Sequence, residues 1–201
     1  EIIGRGGTSG IGVFSFDFGG FIVDGGHSLK SKSSFLPSSA SQAKPPQLLA
    51  HYDFPDDWEI LLVILDSKNT VNGQKEVNIF QDYCPVPKNE VEQTSHIIFM
   101  NMIPFLLERD LPAFGHSIDE IQKRGFKNVE VSLQSQQIRD LMDKLREIGA
   151  YGVGMSSFGP TVYSVFDKNN KHIVEEIKEY VGDRGVVLTT KAQNYGHEIQ
   201  K

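Results

Sequence analysis

Hydrophobic positions in this chain follow a helical period in some stretches and an extended one in others, and the second half separates the two cleanly. "QSQQIRDLMDKLREIGAYG" places Ile138, Leu141, Met142, Leu145 and Ile148 on one stripe, with Gly149 as a C-terminal stop. "KHIVEEIKEYVG" does the same with Ile173, Val174, Ile177, Tyr180 and Val181. Around them lie "VGM", a turn "SSFGPT", a strand "VYSVF" (162–166) and a closing strand "VVLTTKA" (186–192). Helix, strand, strand, helix, strand in that order predicts an α+β unit of the split βαβ, ferredoxin-like type. Upstream, "WEILLVILD" (58–66) is apolar without alternation and reads as a buried strand. A helical region is expected from Asn89 to Gly125, broken or kinked at Pro104 and Pro112, because proline removes a donor and clashes with the preceding turn.

The first quarter reads differently. "VFSFDF" (13–18) and "GFIVD" (20–24) alternate around Gly19 and Gly20, which predicts a hairpin. Ser28 to Pro55 is rich in Ser, Pro and Ala and has no period, so a long surface loop is expected there. Between Gly25 and Tyr52 there is no Asp or Glu, while Lys30, Lys32 and Lys44 are present. Such a segment is either a solvated basic loop or a flap over an anionic substrate.

Composition narrows the classes. The chain of 201 residues can bury one substantial core or two small ones. Its 20 basic and 26 acidic residues argue against a general nucleic-acid binder, so an anionic ligand has to be met by local charge. A single cysteine, Cys84, permits no internal disulfide and fits a reducing compartment. The longest apolar runs, "ILLVIL" (60–65) and "IIFMNMIPFLL" (97–107), fall short of the roughly 20 residues that span a bilayer. The expectation is a cytoplasmic protein with no membrane or nucleic-acid partner.

Two glycine-rich signatures carry candidate chemistry. "GRGGTSG" (4–10) opens the chain, and "GVGMSSFGPTVYSVFD" (152–167) sets Gly152, Gly154 and Gly159 around Ser156 and Ser157. Small residues let backbone N–H groups converge on an anion, and hydroxyls add donors; a plain turn would show the same composition. Together with "FLPSSAS" (35–41) and "ERDLPAFGHSIDEIQ" (108–122), and in this order, these segments resemble the GHMP superfamily of small-molecule kinases and its relatives. Within it they are similar to an archaeal branch of synthases in methanopterin biosynthesis.

The resemblance implies a two-lobed α+β fold, with residues 1–66 the remainder of the N-terminal lobe and 67–201 the C-terminal lobe. Two departures qualify it. Superfamily kinases carry a catalytic aspartate in the segment matching "TSGIG", where this chain has Gly12. Their first phosphate loop, a "G-L-G-S-G-T"-like segment, is not in this sequence, so the native protein is expected to extend beyond Glu1 and these residues alone to be inactive.

The activity the branch implies joins 4-aminobenzoate, or a close analogue, to phosphoribosyl pyrophosphate with loss of carbon dioxide and pyrophosphate. This is the first committed step of its pathway. Magnesium would accompany the pyrophosphate, though no carboxylate cluster identifies its ligands, and no organic cofactor is needed. The resemblance then suggests catalytic roles for Arg5, Asp24 and His27. Gly6, Gly7, Thr8, Ser9, Gly10 and Lys30 would face the sugar phosphate, and Gly154, Ser156, Ser157 and Gly159 would form a second phosphate-facing set. Arg5 in a surface ion pair, and Asp24 with His27 as a structural pair, are the plain alternatives. An ATP-dependent kinase using Asp17 or Asp24 in place of the missing carboxylate, a non-catalytic binding or dimerisation module, and a homodimer all remain open on the sequence.

Overall fold

The computed structural model describes residues 8–28, 30, 32, 34–37, 40, 41, 43–66, 71 and 73–198. They group into two compact units, interleaved along the chain. One comprises Glu1–Phe54, Asn72–Pro85 and Ala192–Lys201, the other Pro55–Val71 and Val86–Lys191. The position 66/67 falls inside the second unit.

In the first unit, residues 13–18 are not a strand. They belong to helix α1 (Gly10–Phe18), which runs into strand β1 (Phe21–Asp24). The cause is capping from two directions. Ser9 is the N-cap and its Oγ accepts from Gly12 N at 3.2 Å, while Asp24 Oδ2 accepts from Ile11 N at 3.1 Å. Two of the orphan first-turn donors are thereby satisfied, and Phe14 and Phe18 stack four residues apart with ring centroids 6.3 Å apart.

The expected hairpin partner is also replaced. β1 pairs antiparallel with β2 (Leu48–Tyr52), drawn from the stretch that reads as loop, with Phe21 opposite Tyr52. Gly19 and Gly20 make the corner at φ 71° and 68°, where L-residues are strained. A Cβ on Gly20 would sit 2.6 Å from Tyr52 O. Helix α2 (Gly73–Tyr83), to which the pattern assigned nothing, completes the unit's regular structure.

The second unit is built on a four-stranded antiparallel sheet. Its strands are β3 (Glu59–Leu65), β4 (Tyr151–Met155), β5 (Thr161–Phe166) and β6 (Gly185–Thr190), in the order β4-β5-β3-β6. β3 therefore lies between β5 and β6, with Leu62 opposite both Tyr163 and Leu188. Its alternate residues Leu61, Val63 and Leu65 are buried against two helices. Those are α7 (Gln136–Glu147), through Ile138, Leu141, Met142 and Leu145, and α8 (His172–Val181), through Ile173, Val174, Ile177 and Val181. Each such side chain contributes about 1.5–3 kcal/mol on burial, so this stripe-on-sheet contact holds the unit together. Strand, helix, strand, strand, helix, strand is the split βαβ arrangement that the periodicity predicts.

The long connection from β3 to β4 is helical. It runs through α3 (Lys88–His96), a π-helical turn (Ile97–Met102), α4 (Ile103–Glu108), α5 (Leu111–Gln122) and α6 (Gly125–Ser132). The helical run does break before Pro112, which sits in the first turn of α5 where a missing N–H costs nothing, whereas Pro104 directly follows the π-helical turn within a run that is helical from 88 to 108. α5 crosses β4 with backbone on backbone. A Cβ on Gly115 would lie 2.7 Å from Gly152 N, and one on Gly152 would lie 2.7 Å from Gly115 Cα. That approach brings α5 side chains within reach of the strand's amides.

Candidate functional site

The first candidate cluster lies where α1 begins. Arg5, Gly6 and Gly7 fall outside the described residues. Thr8 is buried, and Ser9 is committed to capping. Gly10 is buried against Asp24, whose Oδ2 would be 2.7 Å from any Cβ placed there. Asp24 itself serves the backbone with both oxygens, Oδ2 to Ile11 N and Oδ1 to Gly26 N at 3.0 Å. A carboxylate at a helix N-terminus is further favoured by the helix dipole.

The pairing of Asp24 with His27 does not form. His27 Nε2 meets Lys44 O at 2.9 Å instead, and Lys30 is exposed in the loop nearby. The structure thus brings together Ser9, Gly10 and Asp24, and leaves His27 and Lys30 apart from them.

Gly12 borders a cavity of about 610 Å³ whose walls include Phe16, Tyr195 and His197. His197 stacks on Phe16 with ring centroids 4.3 Å apart. Neither proposed substitute for a carboxylate at position 12 reaches this wall. Asp17 is turned by about 140° from Gly12 around the helix, and Asp24 is held at the helix start.

The second cluster surrounds the turn between β4 and β5. Gly154 does not open space for a ligand: a Cβ there would lie 2.5 Å from the Tyr163 hydroxyl oxygen, so its glycine makes room for that ring. Burial, and then the charges of Asp119 and Glu130, push the Tyr163 phenol up to about 12, which keeps it neutral.

β4 is an edge strand with a bulge between Tyr151 and Gly154, and α5 side chains supply its missing partner. Asp119 Oδ1 accepts from Val153 N at 3.2 Å and Gln122 Oε1 from Met155 N at 3.1 Å, three residues apart on the helix and two on the strand. Asp119 is itself held by Arg146 Nε at 3.1 Å.

The turn is tightly fixed. Ser156 N donates to Thr161 O and Gly159 N to Ser156 O, each at 2.9 Å, and Ser157 adopts φ 49°. Lys127 Nζ donates to Met155 O at 3.1 Å and to Ser157 O at 3.4 Å, and Gln134 Nε2 to Phe158 O at 2.7 Å. Ser156 and Ser157 remain exposed. Sequence reading missed Asp119, Gln122, Lys127 and Gln134. The i,i+3 spacing of Asp119 and Gln122, at the end of a segment that does show the family resemblance, was the only signal for two of them.

Residues 102–186 match the family model described as GHMP kinases C terminal, a span running from the π-helical turn into β6. Over that span its α+β sheet and crossing helices are similar to the C-terminal domain of GHMP kinases. It is 52% identical over 196 residues to a protein of Methanothermobacter thermautotrophicus named beta-ribofuranosylphenol 5'-phosphate synthase, a match covering 98% of this chain and 59% of that protein. A protein of the same name from Archaeoglobus fulgidus is 48% identical over 203 residues, covering 100% of this chain and 63% of the relative.

The chain therefore spans 59% and 63% of the lengths of these two relatives. Among solved structures, a homoserine kinase from Cytophaga hutchinsonii shares the fold at a TM-score of 0.63 and 15% identity, over 92% of this chain and 52% of that one. A mevalonate diphosphate decarboxylase from Staphylococcus aureus does so at 0.53 and 15%, over 83% and 53%. Among the described residues no helix is long and apolar enough to cross a membrane.

Proposed function

We propose that this chain is part of a synthase that transfers the ribose 5-phosphate of phosphoribosyl pyrophosphate to the ring of a para-substituted benzoate. The observation that carries the reading is the 52% identity, over 98% of the chain, to a named beta-ribofuranosylphenol 5'-phosphate synthase. That name specifies a phenol product, so the acceptor is 4-hydroxybenzoate in preference to the 4-aminobenzoate that the sequence reading set first. Hydroxyl and amine both push electron density to the para carbon, which bears the carboxylate.

The balance is simple. The bond from the ribose anomeric carbon to pyrophosphate breaks with the electron pair leaving on oxygen. The para carbon bonds to the anomeric carbon, and loss of carbon dioxide returns its bonding pair to the ring. The site has to stabilise a departing polyanion and keep water from a cationic sugar. The exposed Ser156–Ser157 turn, with its neighbour Gly159, is suited to the polyanion, while Gly6, Gly7 and Lys30 remain assigned to the sugar phosphate and Arg5 to catalysis. Asp24 holds the start of α1. Magnesium would come as the companion of pyrophosphate. A substrate carrying several phosphate charges does not cross membranes unaided, which favours the cytoplasm.

Gly12 supports this reading over a kinase, since no carboxylate stands at that position to serve an attacking hydroxyl. The test uses the full chain with phosphoribosyl pyrophosphate and carboxyl-labelled 4-hydroxybenzoate or 4-aminobenzoate. Labelled carbon dioxide released in step with pyrophosphate is expected, faster with the hydroxy acid. No release with either acid, together with ADP formation from ATP and a small alcohol, overturns the proposal in favour of the kinase.

A further inference from the structure

The second unit buries an ion pair that the proposed chemistry leaves unused. Lys127 and Glu130 pair across three residues of α6, with side chains only 22% and 10% exposed. Two charges taken out of water are a poor source of stability unless their other hydrogen-bonding positions are filled. For the ammonium they are filled. An ammonium has three protons, and those of Lys127 go to Glu130, Met155 O and Ser157 O.

The remaining carbonyls of the turn are also taken, Ser156 O by Gly159 N and Phe158 O by Gln134. Four consecutive carbonyls, from 155 to 158, thus accept from donors within the protein. Among the described residues the amides of Ser157 and Phe158 have no acceptor, and the exposed hydroxyls of Ser156 and Ser157 lie beside them. A turn whose backbone carbonyls are each claimed internally turns amides and hydroxyls toward a ligand instead of bare carbonyls.

We propose that Lys127 is a positioning residue for pyrophosphate binding: anchored by Glu130, it holds the Met155 and Ser157 carbonyls inward, so that the 156–158 turn meets an anion with amides and hydroxyls and not with bare carbonyls. This rests on the reading that the turn takes phosphate oxygens. Because Glu130 offsets the ammonium's charge at close range, the effect works through the shape of the turn and not through long-range attraction.

That distinction gives the test. Inorganic pyrophosphate is titrated calorimetrically into the full chain as wild type, Lys127→Met, Lys127→Arg and Glu130→Gln, with melting curves alongside. Lys127→Met is expected to bind about tenfold more weakly, the worth of one charge-assisted hydrogen bond. Lys127→Arg should recover most of that loss. Glu130→Gln should also bind more weakly, although it removes a negative charge near the anion. In turnover, the KM for phosphoribosyl pyrophosphate should rise while kcat and the KM for the arene hold, a split that general loosening of the fold would not produce.

Tighter binding by Glu130→Gln would mean that charge and not positioning governs the turn, and would overturn the proposal. So would wild-type affinity in Lys127→Met. If Lys127→Met does not fold, Glu130→Gln decides. A wild type that ignores pyrophosphate rejects the phosphate-turn reading itself, and this role with it, whereas binding that is insensitive to both variants rejects only the role.

Discussion

At the start of α1 the polar side chains serve backbone close by in the fold, and at the 154–160 turn they do so from far along the sequence. Asp24 and Ser9 fill the first-turn donors of one helix, as a cap would in any protein. The turn between β4 and β5 is held instead by Gln122, Lys127 and Gln134, on two helices and the segment following them. The first arrangement uses its carboxylate and hydroxyl for stability, leaving little for chemistry. The second spends interior side chains to leave the turn's serines exposed. Glycine content looked alike in the two places, yet the glycines answer different needs, a helix start packed on a carboxylate and a strand packed on a tyrosine ring.

The comparison breaks most visibly at Gly154. Gly154→Val drives two methyl groups into Tyr163, and the expected loss is about 3 kcal/mol or more, enough to lower the urea midpoint sharply. Unchanged unfolding with lost pyrophosphate affinity would instead give that space to a ligand.

Next in size is a pH effect at Tyr163. Its phenol is raised from 10.0 in the unfolded chain to about 12 in the fold, so the folded protein keeps a proton that the unfolded one gives up. The stabilisation is fully present below pH 10 and is lost as pH rises through about 12, a fall on the order of 3 kcal/mol. Unfolding free energy measured from pH 9 to 12 should show the slope, and Tyr163→Phe should remove it. An equal slope in that variant would assign it to other groups.

Smaller losses are expected at α1. Asp24→Ala should cost about 1–2 kcal/mol and Ser9→Ala about 1 kcal/mol, with Asp24→Asn milder because its amide oxygen still accepts. Thermal melts measure this. Turnover of Asp24→Asn in the full chain should stay within about tenfold of wild type, the scale of one modest hydrogen bond. A drop of several decades at unchanged stability would return the carboxylate to catalysis.

Much of the fold was legible because its cause is periodic. Ile138, Leu141, Met142 and Leu145 recur at helical spacing, and 60–65 is continuously apolar, since a strand buried under two helices has few polar positions to show. α1 was misread because V-F-S-F-D-F satisfies a strand template. What makes it helical is an Asp24 oxygen, 13 residues from Ile11 in sequence. β2 was invisible because a five-residue edge strand rich in leucine, alanine and histidine carries no strong strand signal apart from its partner. Of the site, the glycine-rich turn was legible as composition, but Lys127 looked like any surface lysine of an amphipathic helix.

The sequence by itself determined the α+β class, the stripes of α7 and α8, and the strands β3 to β6. Each of these is a matter of local spacing or of side-chain identity. Only the tertiary structure decided that Gly154 yields to Tyr163, that Asp24 caps a helix without touching His27, and that Lys127 and Glu130 brace the serine turn from below. Those outcomes depend on which atoms come within 2.5 to 3.5 Å of one another once the strands pair and the helices cross, and pairing of that kind joins residues that local pattern keeps apart.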